Sequence, residues 1–393
     1  MVKKLVGLAK NNHPEKRCIA DTEIYNVRNF KKNNYYYYYY GYLLRLLKKD
    51  CLGTFKFRPI LKKILHDVDC FMFFNDIGYL DDNDWISFFE TTIPRLPSIK
   101  DIHRDHNDKI NYPRLNEVKT DLESLVHENC KRLIAISNSA FEIQSTLLKS
   151  YPEYKDIILN KTEVIHPPQR LLFKDKLKST KFKFIFVGND FYRKGGGEVV
   201  LAFQKLIKEY SFLNKNVSLI LIGDLNRKYN YVHGEFQFKI SYFKQIEDII
   251  YSSNNIRLYT NISNMSVLKL MSESSVGILP TWGDTYGYSV LEMQSFGLPV
   301  ITSNVRALPE INHNDLIFNV DTNILGEIVI DSFEQRDAIS EKIIDGVKKK
   351  MEYILLGDNK LHMFSEWSID NIRTNHDPDI FYKKILNIID EKR

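Results

Sequence analysis

One stretch, residues 275–303, constrains the fold of this chain more than any other part of its 393 residues. Ser275 to Pro280 is a short apolar run closed by a proline, and Pro299 to Ser303 is a second, β-branched run that follows a glycine. Between them, Tyr286 to Phe296 carries apolar residues at helical spacing. The stretch predicts a strand, a loop, a helix and a second strand. Such a β-α-β unit places its loop, Thr281 to Gly287, at the carboxyl edge of a parallel sheet, where open α/β folds bind ligands.

Two acidic residues flank the start of this predicted helix. Asp284 and Glu292 are eight positions apart, slightly more than two helical turns, so one ligand can span both. Between them, Gly287 lets a ligand approach the backbone, and the N–H groups of Tyr286, Gly287 and Tyr288 at the helix start suit an anion such as a diphosphate. This pattern fits a sugar nucleotide, with Asp284 for sugar hydroxyls, the amides for phosphate and Glu292 for the ribose diol.

A second loop has the character of a phosphate site. Phe182 to Val187 reads as a strand, and Gly188 and Asn189 follow it in a glycine-bearing loop that leads into a helix. Arg193 and Lys194 lie at the start of that helix, where backbone amides and cations together favour a phosphate group. A basic helix cap that faces solvent is the alternative interpretation.

The first stretch also resembles a known signature. Asp284-x7-Glu292 with the internal Tyr286-Gly287-Tyr288, followed by Gly297-Leu298-Pro299 and Leu308-Pro309-Glu310, is similar to the donor-site pattern of the retaining glycosyltransferases of family 4. That pattern usually reads Glu-x7-Glu, so Asp284 departs from it by one methylene. The alternative is an amphipathic helix of another α/β protein whose two acids are merely solvated.

The resemblance implies a GT-B fold of α/β class, in which two Rossmann-like doubly wound domains face each other across a cleft. It implies transfer of a sugar from a nucleotide-diphosphate donor, UDP or GDP, to a glycan or lipid-linked glycan, with retention of configuration and without a metal or other cofactor. Asp284 would orient the sugar, and Lys194 matches the family's phosphate lysine. Asn189 occupies the place of the family's arginine, so we infer that Arg193 supplies the missing charge.

Length and the double proline Pro167-Pro168 predict the domain organisation. A chain of 393 residues is too long for one ordinary core, and two adjacent prolines cannot continue a sheet. We expect an acceptor-binding domain over residues 1–168 and a nucleotide-sugar-binding domain over residues 169–375. By the resemblance, the segment 376–393 is a helix that crosses back onto the first domain.

Two apolar runs in the first domain end in polar groups. Phe71 to Phe74 and Trp85 to Phe89 predict buried parallel strands, with Asn75-Asp76 after the first and Glu90 after the second. Related enzymes often carry a histidine that touches the donor sugar near the position of Glu90. Glu90 is therefore the candidate sugar or acceptor contact, and a capping or salt-bridged role for it is the open alternative.

Local signals predict further elements. Arg58 to Leu65 looks helical with Pro59 in its first turn, and a helix from about Ala140 to Lys149 has Ser139 as its expected N-cap.

The first 65 residues carry a strong positive charge, with 15 Lys and Arg against 4 Asp and Glu, a net +11, whereas the remainder of the chain carries −6. Tyr35 to Tyr40 is a run of six tyrosines after Lys31 and Lys32. Tyrosines and lysines suit the surface of an anionic membrane, so residues 1–65 predict a peripheral membrane contact. The alternative is a low-complexity stretch that forms a strand and a core helix. No nucleic acid is expected as a partner.

Composition predicts a soluble protein. The chain is 44% hydrophobic and 27% charged, lacks a run of 18 apolar residues and begins without a signal-peptide core, so we expect it in the cytoplasm, with the membrane surface as a second expectation. The four cysteines are scattered and read as ordinary thiols. His103 and His106 lie among alternating charges, which favours a solvated loop over a metal site, and no metal cage is visible.

Two rival functions remain open. One is another GT-B enzyme with the same phosphate clamp, such as a sugar-nucleotide epimerase or a phosphorylase. The other is a nucleic-acid-binding or scaffolding protein that uses its basic, tyrosine-rich end and has a decayed pocket. Stabilisation by free UDP or GDP separates a transferase from a binding module.

Overall fold

The computed structural model describes most of the chain in several segments. These are residues 3–10, 13–19, 23–36, 55–95, 113–173 and 181–391, with the single residues Tyr39, Leu43 and Leu46. Three of the six consecutive tyrosines, and the predicted loop with His103 and His106, lie outside the described residues. The chain divides into two compact units, the first formed by residues 1–168 with 378–393 and the second by residues 169–377.

Both units are built on short, mostly buried strands, numbered here in chain order. The strands are β1 (Leu5–Leu8), β2 (Asn26–Asn29), β3 (Lys56–Phe57), β4 (Cys70–Phe74), β5 (Ile77–Gly78), β6 (Trp85–Phe89), β7 (Cys130–Ala135), β8 (Thr162–Val164), β9 (Phe182–Asp190), β10 (Val217–Asp224), β11 (Ile256–Tyr259), β12 (Val276–Leu279), β13 (Val300–Ser303) and β14 (Ile317–Phe318).

Helices connect most of these strands. The described α-helices are α1 (His13–Cys18), α2 (Leu115–Val126), α3 (Asn138–Leu148), α4 (Pro152–Asn160), α5 (Gly196–Glu209), α6 (Ile240–Ser252), α7 (Asn264–Ser272), α8 (Tyr288–Ser295), α9 (Phe333–Leu355), α10 (Lys360–Asn375) and α11 (Pro378–Asp390). The alternation of strand and helix is what a doubly wound α/β sheet requires.

The second unit contains one six-stranded sheet in the order β11-β10-β9-β12-β13-β14, with every neighbouring pair parallel. Counted along the chain, this is the order 3-2-1-4-5-6 of dinucleotide-binding folds. The direction of winding reverses between β9 and β12. Loops that leave the carboxyl ends of these two strands diverge to opposite faces of the sheet, and they leave a crevice in which such folds bind their ligands.

The first unit contains a parallel sheet in the order β2-β1-β4-β6-β7-β8, and the short strands β3 and β5 pair separately. Its winding reverses between β1 and β4. The C-terminal helix α11 packs in this unit, where Phe381 lies 6.1 Å from Phe88 between ring centroids.

An aromatic cluster fills the core on one face of this first sheet. Phe57, Phe71, Phe73 and Trp85 are each at most 1% exposed. Their ring centroids are 5.4 Å apart for Phe57 and Phe71, and 5.8 Å apart for Phe73 and Trp85. Because tilted aromatic pairs gain both area burial and favourable ring electrostatics, this cluster fixes β4 and β6 and hence the polar residues that follow them.

Two local predictions are wrong. Only Lys62–Leu65 forms a helix, of the 3-10 type, because Pro59 bridges to Asn34 and the Asn33 side chain bonds the backbone of Leu61 on both its N–H and its C=O. The N-cap of α3 is Ser137 rather than Ser139, since the Ser137 hydroxyl accepts the N–H of Ala140 at 3.0 Å.

Candidate active site

The loop after β9, residues 191–195, ends in a residue that must be glycine. Gly195 has φ +84°, and a Cβ there would collide with the carbonyl oxygen of Pro280, the residue after β12. Gly188 is also constrained, because a Cβ on it would lie 2.7 Å from the Cβ of Lys194. The two glycines let the β9 loop approach β12 and leave room for the lysine side chain.

The loop after β12, residues 280–287, leads directly into α8. Its last residue, Gly287, has φ +91° and serves as the N-cap, and a Cβ there would lie 2.5 Å from Leu308 Cδ2. The predicted strand and helix are therefore both present, with the helix beginning two residues later than its pattern suggested. The left-handed glycine lets the chain turn from the loop directly into the first amides of α8.

Arg193 ties the β9 loop to the β12 loop. Its carbonyl accepts the N–H of Trp282 at 3.0 Å, and its Nη1 donates to the carbonyl of Gly283 at 2.6 Å. Its Nη2 is ion-paired with Asp190 at the end of β9. The charge of Arg193 is therefore already paired with a carboxylate, and its guanidinium connects the two loops.

Lys194 and Asp284 form an ion pair between the two loops. Their side chains are only 17% and 14% exposed. Burial lowers the pKa of Lys194, although the charge of Asp284 opposes this. Burial alone would raise the pKa of Asp284, but the attraction of Lys194, with a hydrogen bond from the Tyr286 backbone, holds it below its usual range. Each charge therefore offsets part of the desolvation of the other.

The structure brings most of the predicted site residues to one edge of the second sheet. Tyr286 and Tyr288 flank Gly287 with ring centroids 5.1 Å apart, and Glu292 lies half-buried in the second turn of α8. Asn189 is exposed at the end of β9. The Tyr286 amide is directed at Asp284, so the amides of Gly287 and Tyr288 are the better candidates for an anion.

Glu90 belongs to the other unit, directly after β6. Its Oε1 accepts from Arg95 Nη1 at 2.5 Å and from the Asn75 side chain at 3.4 Å. Asn75 in turn accepts the N–H of Glu90 at 3.3 Å. The structure therefore gives Glu90 the salt-bridged role that the sequence left open, beside the residues that end β4.

A second ion pair lies at the reversal point of the first sheet. Lys10, two residues after β1, is 2.6 Å from Asp76, which follows β4. The ring of Phe55 lies under both cations of this edge, 5.3 Å from Lys10 Nζ and 5.6 Å from Arg95 Cζ. Lys10, Asp76, Glu90, Arg95 and Phe55 are called the first-unit cluster below.

Asp76 is the least exposed charged group of this cluster, with 3% of its side chain accessible. Burial raises its pKa to about 6, and the charge of Lys10 opposes the rise. At neutral pH the carboxylate is ionised but holds its proton more tightly than an exposed aspartate.

Sequence reasoning did not single out several of these residues. Lys10 and Arg95 lie in segments with no glycine turn or motif, and their partners become evident only once β1, β4 and β6 are neighbours. The available signal for Lys10 was its position two residues after the short apolar run Leu5–Leu8. Asp190 and Tyr231, which both contact Arg193, likewise depend on the packing of separate loops.

Comparison with known proteins places this geometry in a family. The sequence profile of the glycosyl transferases group 1 matches residues 169–365, half of the chain and nearly all of the second unit. The chain belongs to the glycosyl transferases group 1. The resemblance seen in the sequence is thereby confirmed at the level of this family.

Solved structures support the fold of this glycosyl transferase over its whole length. A glycosyltransferase from Rickettsia africae is 14% identical, with a TM-score of 0.59 over 99% of this chain and 98% of that one. Anabaena HepE, solved in complex with UDP and glucose, is 12% identical, with a TM-score of 0.54 over 98% of this chain and 90% of that one. The predicted GT-B fold is confirmed.

A curated relative matches over a shorter part of the chain. The mouse protein named GDP-Man:Man(3)GlcNAc(2)-PP-Dol alpha-1,2-mannosyltransferase is 22% identical over 150 residues, which are 36% of this chain and 29% of that protein. The chain matches less than half the length of the curated relatives found.

Two further features bear on the chemistry and location of this glycosyl transferase. Within the described segments, no group of three or more His, Cys, Asp or Glu side chains is arranged to hold a metal ion. In the same part of the chain, no helix combines the length and apolar character needed to cross a bilayer.

The raised pKa of Asp76 predicts a pH-dependent stability. The Asp76 carboxyl has a pKa of about 6 in the folded protein against 3.8 when unfolded. Its contribution to the free energy of unfolding is therefore fully present below pH 4 and is lost as the pH rises through 6. The unfolding free energy of the wild type should fall between pH 4 and 7, relative to Asp76→Asn, by on the order of 2 kcal/mol.

Urea unfolding of both proteins across this pH range measures the difference. Asp67→Asn, at an exposed position of the same unit, should run parallel to the wild type. Parallel profiles for the wild type and Asp76→Asn would show that Asp76 ionises as it does in water.

Proposed function

We propose that this member of the glycosyl transferases group 1 moves a sugar from a nucleoside-diphosphate donor to a glycan or lipid-linked glycan, with retention and without a metal. The observation that carries the proposal is the Lys194–Asp284 ion pair at the reversal point of the second sheet. It joins a cation for the diphosphate and a carboxylate for the sugar in one crevice, beside the amides that begin α8.

Donor binding exchanges the partners of this pair. A diphosphate takes Lys194 and the amides of Gly287 and Tyr288, and the released Asp284 becomes an acceptor for hydroxyls of the sugar. Glu292, deeper along α8, accepts from the ribose diol. As the sugar leaves the diphosphate, Lys194 offsets the growing negative charge, which is the task that a metal ion performs at other phosphate sites.

Arg193 contributes chiefly by positioning. Its guanidinium is committed to Asp190 and to the carbonyl of Gly283, one residue before Asp284. Arg193 therefore contributes less charge to the diphosphate than Lys194 does. Its main effect is to fix the position of the β12 loop relative to the β9 loop.

The first-unit cluster is the proposed acceptor site. Its two cations and two carboxylates lie at the carboxyl ends of β1, β4 and β6, and they alternate in sign around the ring of Phe55. Alternating donors and acceptors beside an aromatic ring suit the hydroxyls and the apolar face of a sugar. The name of the mouse relative, with GDP-Man as donor and Man(3)GlcNAc(2)-PP-Dol as acceptor, supports a sugar acceptor that carries a lipid.

An anionic membrane surface is the proposed location of that acceptor. Leu61 and Ile64 are 60% and 46% exposed on either side of Lys62 and Lys63, which are also exposed. The Asn33 side chain joins this segment to the exposed Lys31 and Lys32. Exposed aliphatic side chains among lysines fit the headgroup region of an anionic bilayer.

Lys194→Ala tests the donor site. The wild type should be stabilised against heat by UDP or by GDP in the presence of EDTA, and Lys194→Ala should lose this stabilisation. The transfer rate should fall roughly 30-fold to 900-fold, a rise of about 2 to 4 kcal/mol in the barrier, because the main cation at the leaving group is gone. Lys208→Ala, an exposed lysine of α5, is the matched control and should behave as the wild type. Indifference of the wild type to both nucleotides, or a strict need for Mn²⁺ or Mg²⁺, contradicts the proposal.

Asp284→Asn should separate binding from transfer. Without the carboxylate, Lys194 is no longer neutralised, so free UDP or GDP should bind about threefold to tenfold more tightly, while transfer falls because the sugar loses its charged acceptor. Glu292→Gln should instead weaken the free nucleotide about tenfold, through lost contact with the ribose. Calorimetric titration measures both variants. Weaker nucleotide binding by Asp284→Asn would show that the pair does not compete with the diphosphate.

The membrane surface is tested by charge reversal. Lys31→Glu with Lys63→Glu should reduce cosedimentation with vesicles of equimolar phosphatidylcholine and phosphatidylglycerol at least tenfold, at about 1 kcal/mol per lysine. Lys208→Glu with Lys215→Glu, which makes the same charge change on the second unit, should have little effect. Equal binding to vesicles of phosphatidylcholine alone, or no binding to either, would favour a soluble acceptor.

A further inference from the structure

The connection between β10 and α6 is longer than the fold requires. β10 ends at Asp224 and α6 begins at Ile240, so residues 225–239, called the β10 loop here, separate them. Most strand-to-helix connections in such folds take two to six residues, and longer ordered ones are usually functional. Since β10 is the sheet neighbour of β9, the β10 loop leaves the same carboxyl edge as the β9 loop.

The β10 loop is held in one conformation by its own hydrogen bonds. Asn230, 1% exposed, caps the 3-10 helix Tyr231–His233 by accepting the N–H of Val232 at 3.1 Å. The Gln237 side chain donates to the carbonyls of Asn230 and Gly234 at 2.7 and 2.8 Å and accepts the N–H of Asn230 at 3.0 Å. A loop braced in this way presents its side chains rigidly.

Three consecutive residues of this helix each contact a different part of the donor site. The ring of Tyr231 lies 5.3 Å from the Cζ of Arg193. Val232 packs so closely on Gly283 that a Cβ there would lie 2.8 Å from Val232 Cγ2. His233 meets the ring of Trp282 edge to face at 4.4 Å.

An ion pair fastens the same loop from its other end. Arg227 Nη1 lies 2.6 Å from Asp190 Oδ1, and Asp190 is also the partner of Arg193. Asp190 thus receives one arginine from the β9 loop and one from the β10 loop. Burial lowers the pKa of His233 to about 3, so the loop sets a neutral imidazole against Trp282 and adds no competing charge there.

We propose that the β10 loop forms a third wall of the donor site and that Tyr231 is a positioning residue, which holds the Arg193 guanidinium against Gly283 and so sets the place of Asp284. This inference rests on the proposed function. An aromatic face attracts a guanidinium and restricts its orientation. Arg193 needs this restriction because its guanidinium bonds Asp190 and Gly283 at the same time.

Tyr231→Leu removes the ring face and Tyr231→Phe keeps it. We expect Tyr231→Leu to weaken UDP or GDP binding and to raise the donor KM about fivefold to tenfold, with the acceptor KM unchanged and the melting temperature close to that of the wild type. Tyr231→Phe should recover most of the affinity. Tyr229→Leu, two residues earlier and 70% exposed, is the matched control and should bind both nucleotides normally.

A double-mutant cycle shows whether Tyr231 acts through Arg193. In an Arg193→Ala background, Tyr231→Leu should cost less than twofold further in nucleotide affinity, because the group it positions is absent. If Tyr231→Leu lowers the melting temperature, Arg227→Ala tests the same wall from its exposed end and should weaken nucleotide binding about threefold.

Several outcomes overturn the inference. Equal nucleotide binding by Tyr231→Leu and Tyr229→Leu, or a loss that persists in full without Arg193, contradicts the positioning role while leaving the proposed function intact. A wild type that binds neither UDP nor GDP overturns the proposed function and this inference with it.

Discussion

The ion pair between Lys194 and Asp284 is the interaction on which the arrangement of the second unit depends. Its two members come from loops after β9 and β12, which are neighbours only because the winding of the sheet reverses between them. Two glycines permit the approach, Gly188 beside the lysine and Gly195 against the carbonyl of Pro280. The contact between the two charges therefore depends on the strand order and on both glycines.

A largely buried ion pair is a poor source of stability, because desolvation of both charges offsets most of their attraction. The same balance makes the pair easy to exchange. In the proposed donor binding, an anionic ligand gives Lys194 a second partner, which offsets the lost hydration of the lysine. Asp284 is then released as a carboxylate that is already ionised and in place. Arg193 contacts Asp190, Gly283 and Tyr231, and these contacts connect the two loops independently of the Lys194–Asp284 pair.

Apolar runs were sufficient to predict the strands. Trp85–Phe89 has the bounds that its pattern indicated, Cys70–Phe74 begins one residue before its predicted run, and the strand predicted at Phe182 extends three residues further. Buried parallel strands are legible because both faces need apolar side chains. Lys194 and Asp284 were each singled out as site residues, since each follows a strand at the carboxyl edge, and the structure pairs them.

Features that depend on contacts between distant segments were not predicted. The helix expected from Arg58 begins only at Lys62 and is of the 3-10 type, because the side chains of Asn33 and Asn34, about 25 residues away, bond the backbone of the preceding residues. Helix α10 was not foreseen, since its polar and apolar residues alternate without a clear cap. Tyr231 carries no local signal at all, and Lys10 has only its position two residues after a short apolar run. A crystal structure with bound UDP or GDP tests most directly the claim that the diphosphate displaces Asp284 from Lys194. Lys194 Nζ should contact a phosphate oxygen and should no longer contact Asp284. An intact Lys194–Asp284 pair, with the nucleotide bound elsewhere, would contradict the claim.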